Sequence, residues 1–182
     1  MPWRNGGGST LELAVEPPGA SFETGFSWRL SSAEVAESGP FSPFPGLERW
    51  LFLLEGDGFL LDFGSRGRMD LREPCRPVRF LGDWPATATL AGGPSTDLNL
   101  MVDPSRIRAS VQVIRLERNR VFPLTAPTTL FFLTAGSISV PSLDLHLGWH
   151  HLLRLEDAAG SALELAPGLV PADIVKMDLQ PI

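Results

Sequence analysis

Residues 48–63 read Glu48-Arg49-Trp50-Leu51-Phe52-Leu53-Leu54-Glu55-Gly56-Asp57-Gly58-Phe59-Leu60-Leu61-Asp62-Phe63. An apolar run of strand length meets Glu-Gly-Asp-Gly and then resumes as a second apolar run. The two glycines supply the positive φ that a tight reversal needs, so the stretch predicts a β-hairpin. Working outward, the same pattern recurs. Residues 10–15 alternate Leu11, Leu13 and Val15 with Thr10 and Glu12, and residues 25–30 alternate Phe26, Trp28 and Leu30 with Ser27 and Arg29. Pro17-Pro18-Gly19 marks the turn between them. Further strands are expected over 78–80, 87–90, 98–101, 110–118, 129–133, 137–140, 150–155, 162–165 and 174–178. One helical turn is suggested over 31–37, with Ser31 or Ser32 as its cap and Gly39-Pro40 as its stop. The fold class is therefore all-β.

Composition agrees with that reading and excludes several partners. The chain has 182 residues, with 18 Gly and 17 Pro, which suits many short strands joined by turns. Fifteen basic and twenty-one acidic residues leave a formal charge of −6, and the isoelectric point is near 5.0. Such a balance argues against a generic binder of nucleic acid or anionic membrane. Lys176 is the sole lysine. The one cysteine, Cys75, cannot form an intrachain disulfide, so a reducing compartment is the simpler expectation. No run approaches 18 apolar residues, and residues 1–8 contain no hydrophobic leader region, so a cytoplasmic location is expected.

An internal repeat points to two copies of one plan. Leu51-Phe52-Leu53-Leu54 with the turn and return strand after it aligns with Leu130-Phe131-Phe132-Leu133 and its own turn and return strand, at an offset of 79 (from 51 to 130). Gly82-Asp83-Trp84 and Gly148-Trp149-His150 follow the two copies. Two fused barrels are expected, over residues 1–105 and 106–182.

Turn–strand–turn spacing over residues 44–56 resembles the first motif of the cupins, which are double-stranded jelly rolls. Five blocks extend the resemblance: Met1-Pro2-Trp3-Arg4-Asn5-Gly6-Gly7-Gly8-Ser9-Thr10, Phe26-Ser27-Trp28-Arg29-Leu30-Ser31-Ser32-Ala33, Gly39-Pro40-Phe41-Ser42-Pro43-Phe44-Pro45-Gly46, Gly82-Asp83, and Asp97-Leu98-Asn99-Leu100-Met101. In this order they resemble the HutD/Ves family, and they cover residues 1–101. The resemblance implies a bicupin, a single unit over 1–182 made of two fused jelly-roll barrels. It also implies a regulatory role in bacterial histidine utilisation, through binding of an intermediate such as N-formylglutamate or urocanate, and it brings no established catalytic activity. In the family the first block follows an additional N-terminal stretch, whereas here Met1 opens it. A start upstream, or a lost first strand, is therefore expected.

The residues favour a metal-free site. Cupin metal centres need two or three His and a carboxylate. Near the positions where the cupin motif carries His, His and Glu, this chain has Pro43, Pro45 and Arg49, and an arginine is electrostatically hostile to a metal shell. His146, His150 and His151 all lie in the second repeat, where a structural cluster is the commoner fate. Cys75 is expected to be a lone thiol, and no Gly-x-Ser-x-Gly elbow is present. Gly6-Gly7-Gly8 lacks the following Lys-Ser/Thr of a phosphate loop, so it predicts a tight turn that lets backbone approach a neighbour. No catalytic residue, metal or cofactor is expected.

What remains is a set of arginines, amides and aromatics. Arg29 and Arg49 can each clamp a carboxylate with two parallel hydrogen bonds. Asp97 and Asn99 alternate with Leu98 and Leu100, so they share one face and can set polar specificity together with Asn5. Ser31 and Ser42 offer hydroxyls, and Trp3, Trp28 and Phe44 an apolar wall. The expected partner is thus a small anionic metabolite bound in the N-terminal barrel. Two alternatives stay open. One is a metal-independent isomerase or hydrolase with Asp97 or a histidine as general base. The other is an interaction module whose Trp50, Phe52 and Phe59 form the face of a homodimer.

Overall fold

The computed structural model of the protein describes residues 8–182. It is built from β-strands and two single-turn 3-10 helices, Gly64–Arg66 and Pro141–Leu143. Two compact units meet in sequence at Arg106 and Ile107. No helix among the described residues is long and apolar enough to cross a membrane.

The first unit contains β1 (Gly8–Glu16), β2 (Trp28–Val35), β3 (Gly39–Phe41), β4 (Glu48–Glu55), β5 (Phe59–Asp62), β6 (Arg68–Leu71), β7 (Val78–Leu81), β8 (Ala86–Leu90) and β9 (Ser95–Val102). They form two antiparallel sheets, ordered β1-β2-β9-β4-β7 and β3-β8-β5-β6. The sheets enclose a core in which Val35, Leu51, Leu53, Val78 and Phe80 from the first meet Phe59, Leu61, Leu71, Ala86 and Ala88 from the second. Trp50, Phe52, Leu98 and Leu100, of opposite parity on the same strands, are buried as well. Burial on both faces is why residues 50–54 read as a continuous apolar run instead of an alternating one. Trp50, Phe52 and Phe59 are thereby internal, which leaves no exposed dimer face made of them.

The second unit repeats the plan with one strand fewer. Its strands are β10 (Ile107–Leu116), β11 (Arg120–Pro123), β12 (Thr128–Ala135), β13 (Ile138–Val140), β14 (Leu145–Leu147), β15 (Leu152–Leu155), β16 (Ala162–Pro167) and β17 (Ala172–Pro181). Its sheets are ordered β10-β17-β12-β15 and β11-β16-β13-β14. Strand for strand these match β2-β9-β4-β7 and β3-β8-β5-β6, and β1 has no counterpart. The fold is thus all-β and bicupin, two fused jelly-roll barrels.

Three expectations change in detail. Residues 31–35 are not a helical turn. They complete β2, which is an interior strand bonded to both β1 and β9, so Ser31 is a buried strand residue and caps nothing. The register of the repeat also shifts by one. Leu53 and Leu133 both face the barrel core just before a bulge, and Gly56 matches Gly136, so the offset along β4 and β12 is 80 (from 53 to 133). Nor do residues 48–63 form a hairpin: β4 pairs with β9 and β7 while β5 pairs with β8 and β6, so the glycine turn carries the chain from one sheet to the facing one. The equivalent turn of the second copy is one residue shorter, which restores 79 at Phe59 and Ile138. Because side chains alternate faces, an offset of 79 would have put Leu130 inside where Phe131 belongs.

Candidate functional site

Strand register brings the arginines, amides and carboxylate of the first barrel onto one face. Across the five-stranded sheet, Val15, Arg29, Met101, Arg49 and Phe80 are cross-strand partners in one row. The next row holds Glu12, Ser31, Asn99, Leu51 and Val78, and the third holds Ala33, Asp97 and Leu53. Leu51, Leu53, Val78 and Phe80 belong to the barrel core, so this is the inward face. A bulge in β1 between Glu12 and Ala14 changes the parity of that strand and lets both Val15 and Glu12 join the rows. Simple alternation had set those two residues on opposite faces.

Arg29 and Arg49 are both buried, at 4% exposure each, yet their environments differ. Arg29 Nε donates to Glu12 Oε2 at 2.8 Å and Nη1 donates to Ser31 Oγ at 3.2 Å. Its guanidinium lies 5.3 Å from the centre of the Phe22 ring. Arg49 lies among three rings, 5.0 Å from Phe80, 5.1 Å from Phe44 and 5.8 Å from Phe41. Phe22 stacks on Phe44 with centroids 4.7 Å apart, so a pair of rings links the two guanidinium groups. Cation–ring contacts compensate a desolvated guanidinium only partly and satisfy none of its N–H donors.

Three buried polar atoms in these rows lack a hydrogen-bond partner among the described residues: Arg49 Nε, Asp97 Oδ1 and Asn99 Oδ1. Burial pushes the Asp97 carboxyl up to about 7, against the pull of the Arg49 charge, and burial lowers Arg49 to about 10 although Asp97 acts to raise it. The face therefore combines an incompletely satisfied cation with a carboxylate poised near neutrality and an amide. Such a set can hold a small molecule through a carboxylate at Arg49 and polar groups at Asn99 and Asp97.

The structure joins Arg29, Ser31, Arg49, Asp97 and Asn99, and it places half-buried Phe44 against Arg49. Trp28 is not part of this face. It precedes Arg29 on β2 and so projects from the opposite side of the sheet, where it is 1% exposed. Ser42 is exposed in the turn after β3. Trp3, Asn5 and Gly6-Gly7 lie outside the described residues. Glu12, Phe22, Phe41, Phe80 and Met101 were not singled out as site residues by the sequence; the parity change in β1 and the cross-strand register reveal Glu12, Phe80 and Met101, and the ring contacts to the two guanidinium groups reveal Phe22 and Phe41.

No group of three or more His, Cys, Asp or Glu that could hold a metal ion occurs among the described residues. His146 is exposed on β14, His150 stacks on Trp149 at 4.0 Å, and His151 Nδ1 accepts the Gly148 N–H at 3.0 Å. Cys75 is half-buried.

Comparison with known proteins agrees on one family. The HutD family model matches residues 1–169. An uncharacterised 21.2 kDa protein in the hutC 3′ region of Pseudomonas putida is 38% identical over 160 residues, covering 86% of this chain and 81% of that one. Protein Ves of Citrobacter koseri is 35% identical over 188 residues, covering 93% and 91%. Among solved structures, HutD from Pseudomonas fluorescens SBW25, in a formate condition, superposes with a TM-score of 0.86 at 34% identity, covering all of this chain and 93% of that one. A conserved protein of unknown function from Pseudomonas aeruginosa PAO1 gives 0.89 at 36% identity, with 99% and 93% covered. A cupin barrel protein from Leptotrichia buccalis, 8% identical with a TM-score of 0.61 over 95% and 89%, shares the fold. With a family match over most of its sequence and close structural relatives along its whole length, the chain belongs to the HutD family.

Proposed function

We propose that the first barrel binds a small carboxylate-bearing metabolite and that the protein acts as a sensor or regulator of histidine utilisation without transforming its ligand. The observation that carries this reading is Arg49: a cation at 4% exposure, ringed by phenyl groups, with a buried N–H donor that no described residue accepts. A ligand carboxylate would supply that acceptor and the missing charge. Arg29 serves as a second donor, and its ties to Glu12 and Ser31 make it the more committed of the two. Asn99 and Asp97 would receive or donate to the ligand's polar end, as the formamide of N-formylglutamate or the imidazole of urocanate allows. The hutC-region name of the Pseudomonas putida relative supports the link to histidine utilisation.

One observation favours a second reading. A buried carboxyl titrating near 7 is suited to proton abstraction, so Asp97 could act as general base in a metal-free isomerase or hydrolase. One experiment separates the two. Thermal-shift titration with formate, glutamate, N-formylglutamate and urocanate should yield a stabilising ligand, and NMR of the incubated mixture should find it intact. Conversion of the ligand, lost in Asp97→Asn, would replace the sensor with the enzyme. A chain stabilised by none of the four would remove both.

A further inference from the structure

The second barrel holds its own buried charges in the same two rows. Matching the strands of the two units pairs Arg49 with Thr129 on β4 and β12, and Asn99 and Met101 with Lys176 and Asp178 on β9 and β17. The row that reads Arg29-Met101-Arg49 in the first barrel reads Ser110-Asp178-Thr129 in the second. The row Ser31-Asn99-Leu51 becomes Gln112-Lys176-Phe131. Lys176 is 4% exposed and Asp178 9%. Lys176 Nζ is ion-paired with Asp178 Oδ2, and Thr129 Oγ1 donates to Asp178 Oδ1 at 2.9 Å.

The contrast lies in where the carboxylate comes from. In the first barrel the central position between two arginines is an uncharged methionine. In the second, that position carries Asp178, whose two oxygens take a cation and a hydroxyl as a bound carboxylate would. On β10, Ser110 and Gln112 sit in the same rows and are exposed, because β10 is an edge strand with no equivalent of β1 beside it.

We infer that the second barrel contains a latent anion site, specific for a small carboxylate such as formate or acetate, which the chain's own Asp178 occupies. The native protein therefore offers one free carboxylate site per chain, and Asp178 keeps the second barrel closed to the ligand class that the first admits. The comparison rests on the reading of the first barrel, but the test is made at Lys176, so either can fail alone.

Removing Asp178 should empty the site and leave Lys176 buried without its partner. Thermal unfolding of wild type, Asp178→Ala and Asp178→Ala/Lys176→Met is compared in sodium formate, acetate and chloride at matched ionic strength. The single variant should lose stability and regain about 5 °C or more in formate or acetate relative to chloride. Neither wild type nor the double variant should show that extra gain, and any first-barrel effect appears equally in all three and cancels. Where Asp178→Ala does not fold, Asp178→Ser withdraws the carboxylate from the same place and gives the same comparison. Because Lys176 is the only lysine, its side-chain NMR signal reads the site directly and should shift on formate addition only in the single variant. A folded single variant with no carboxylate-specific gain and no Lys176 shift overturns the inference, as does a gain that survives Lys176→Met.

Discussion

Arg49 and Asp97 divide the chemistry of the first barrel between them. The Arg49 guanidinium is buried among Phe41, Phe44 and Phe80, and its Nε donor has no acceptor among the described residues. Arg49→Met should therefore weaken carboxylate binding by roughly 10- to 100-fold, the range of a charged hydrogen bond of about 1.5–3 kcal/mol. Arg29→Met should weaken it less, since that side chain is already bonded to Glu12 and Ser31; isothermal titration of both variants orders them. Asp97 makes a pH prediction. Its carboxyl titrates at about 7 in the folded chain, above the ordinary carboxylate value, so the folded state holds the proton more tightly than the unfolded one. This contribution to stability is present at low pH and is lost as pH rises from about 4 to about 7. Asp97→Asn should remove that dependence, and urea unfolding should find the variant gaining on wild type steadily between pH 4.5 and 7.5. An anion at Arg49 further disfavours the Asp97 carboxylate, so carboxylate affinity should fall as pH rises through 7.

At the scale of strands and turns, Arg49 is placed by the pairing of β4 with β9 and β7, and the glycine turn after β4 carries the chain to the facing sheet. Gly56 has φ of +86°, and a Cβ there would lie 2.5 Å from the Pro94 carbonyl oxygen. Gly136, with φ of +74°, would meet the Pro171 carbonyl oxygen at 2.7 Å. Gly56→Ala and Gly136→Ala should each destabilise the chain by about 2 kcal/mol or more in urea unfolding, from the backbone strain plus the clash. The sheet-forming apolar runs and their turn glycines were legible because each spans several residues with one pattern. Strands β3, β6, β11 and β14, of three or four residues, carry too little alternation to be seen. Within the site, Arg29, Arg49, Asp97 and Asn99 stood out as polar groups inside apolar strands. Glu12 did not, since the β1 bulge breaks the period that a reader relies on. Trp28 was assigned to a face that its neighbour Arg29 already denies it.

Across the whole chain, two barrels share a plan and differ in what fills their polar rows. The first sets two arginines about a methionine, with donors and acceptors that have no partner among the described residues; the second closes a lysine on an aspartate. On the proposed reading, ligand binding falls to one barrel and structural closure to the other, from the same strand positions. The central claim is carboxylate capture at Arg49. Its most direct measurement is calorimetric titration of the wild-type chain and of folded Arg49→Met with N-formylglutamate and with formate. The account predicts saturable binding of at least one of them at one site per chain, weakened tenfold or more in the variant. Saturable binding of equal strength in both proteins, or none in the wild type, would contradict it.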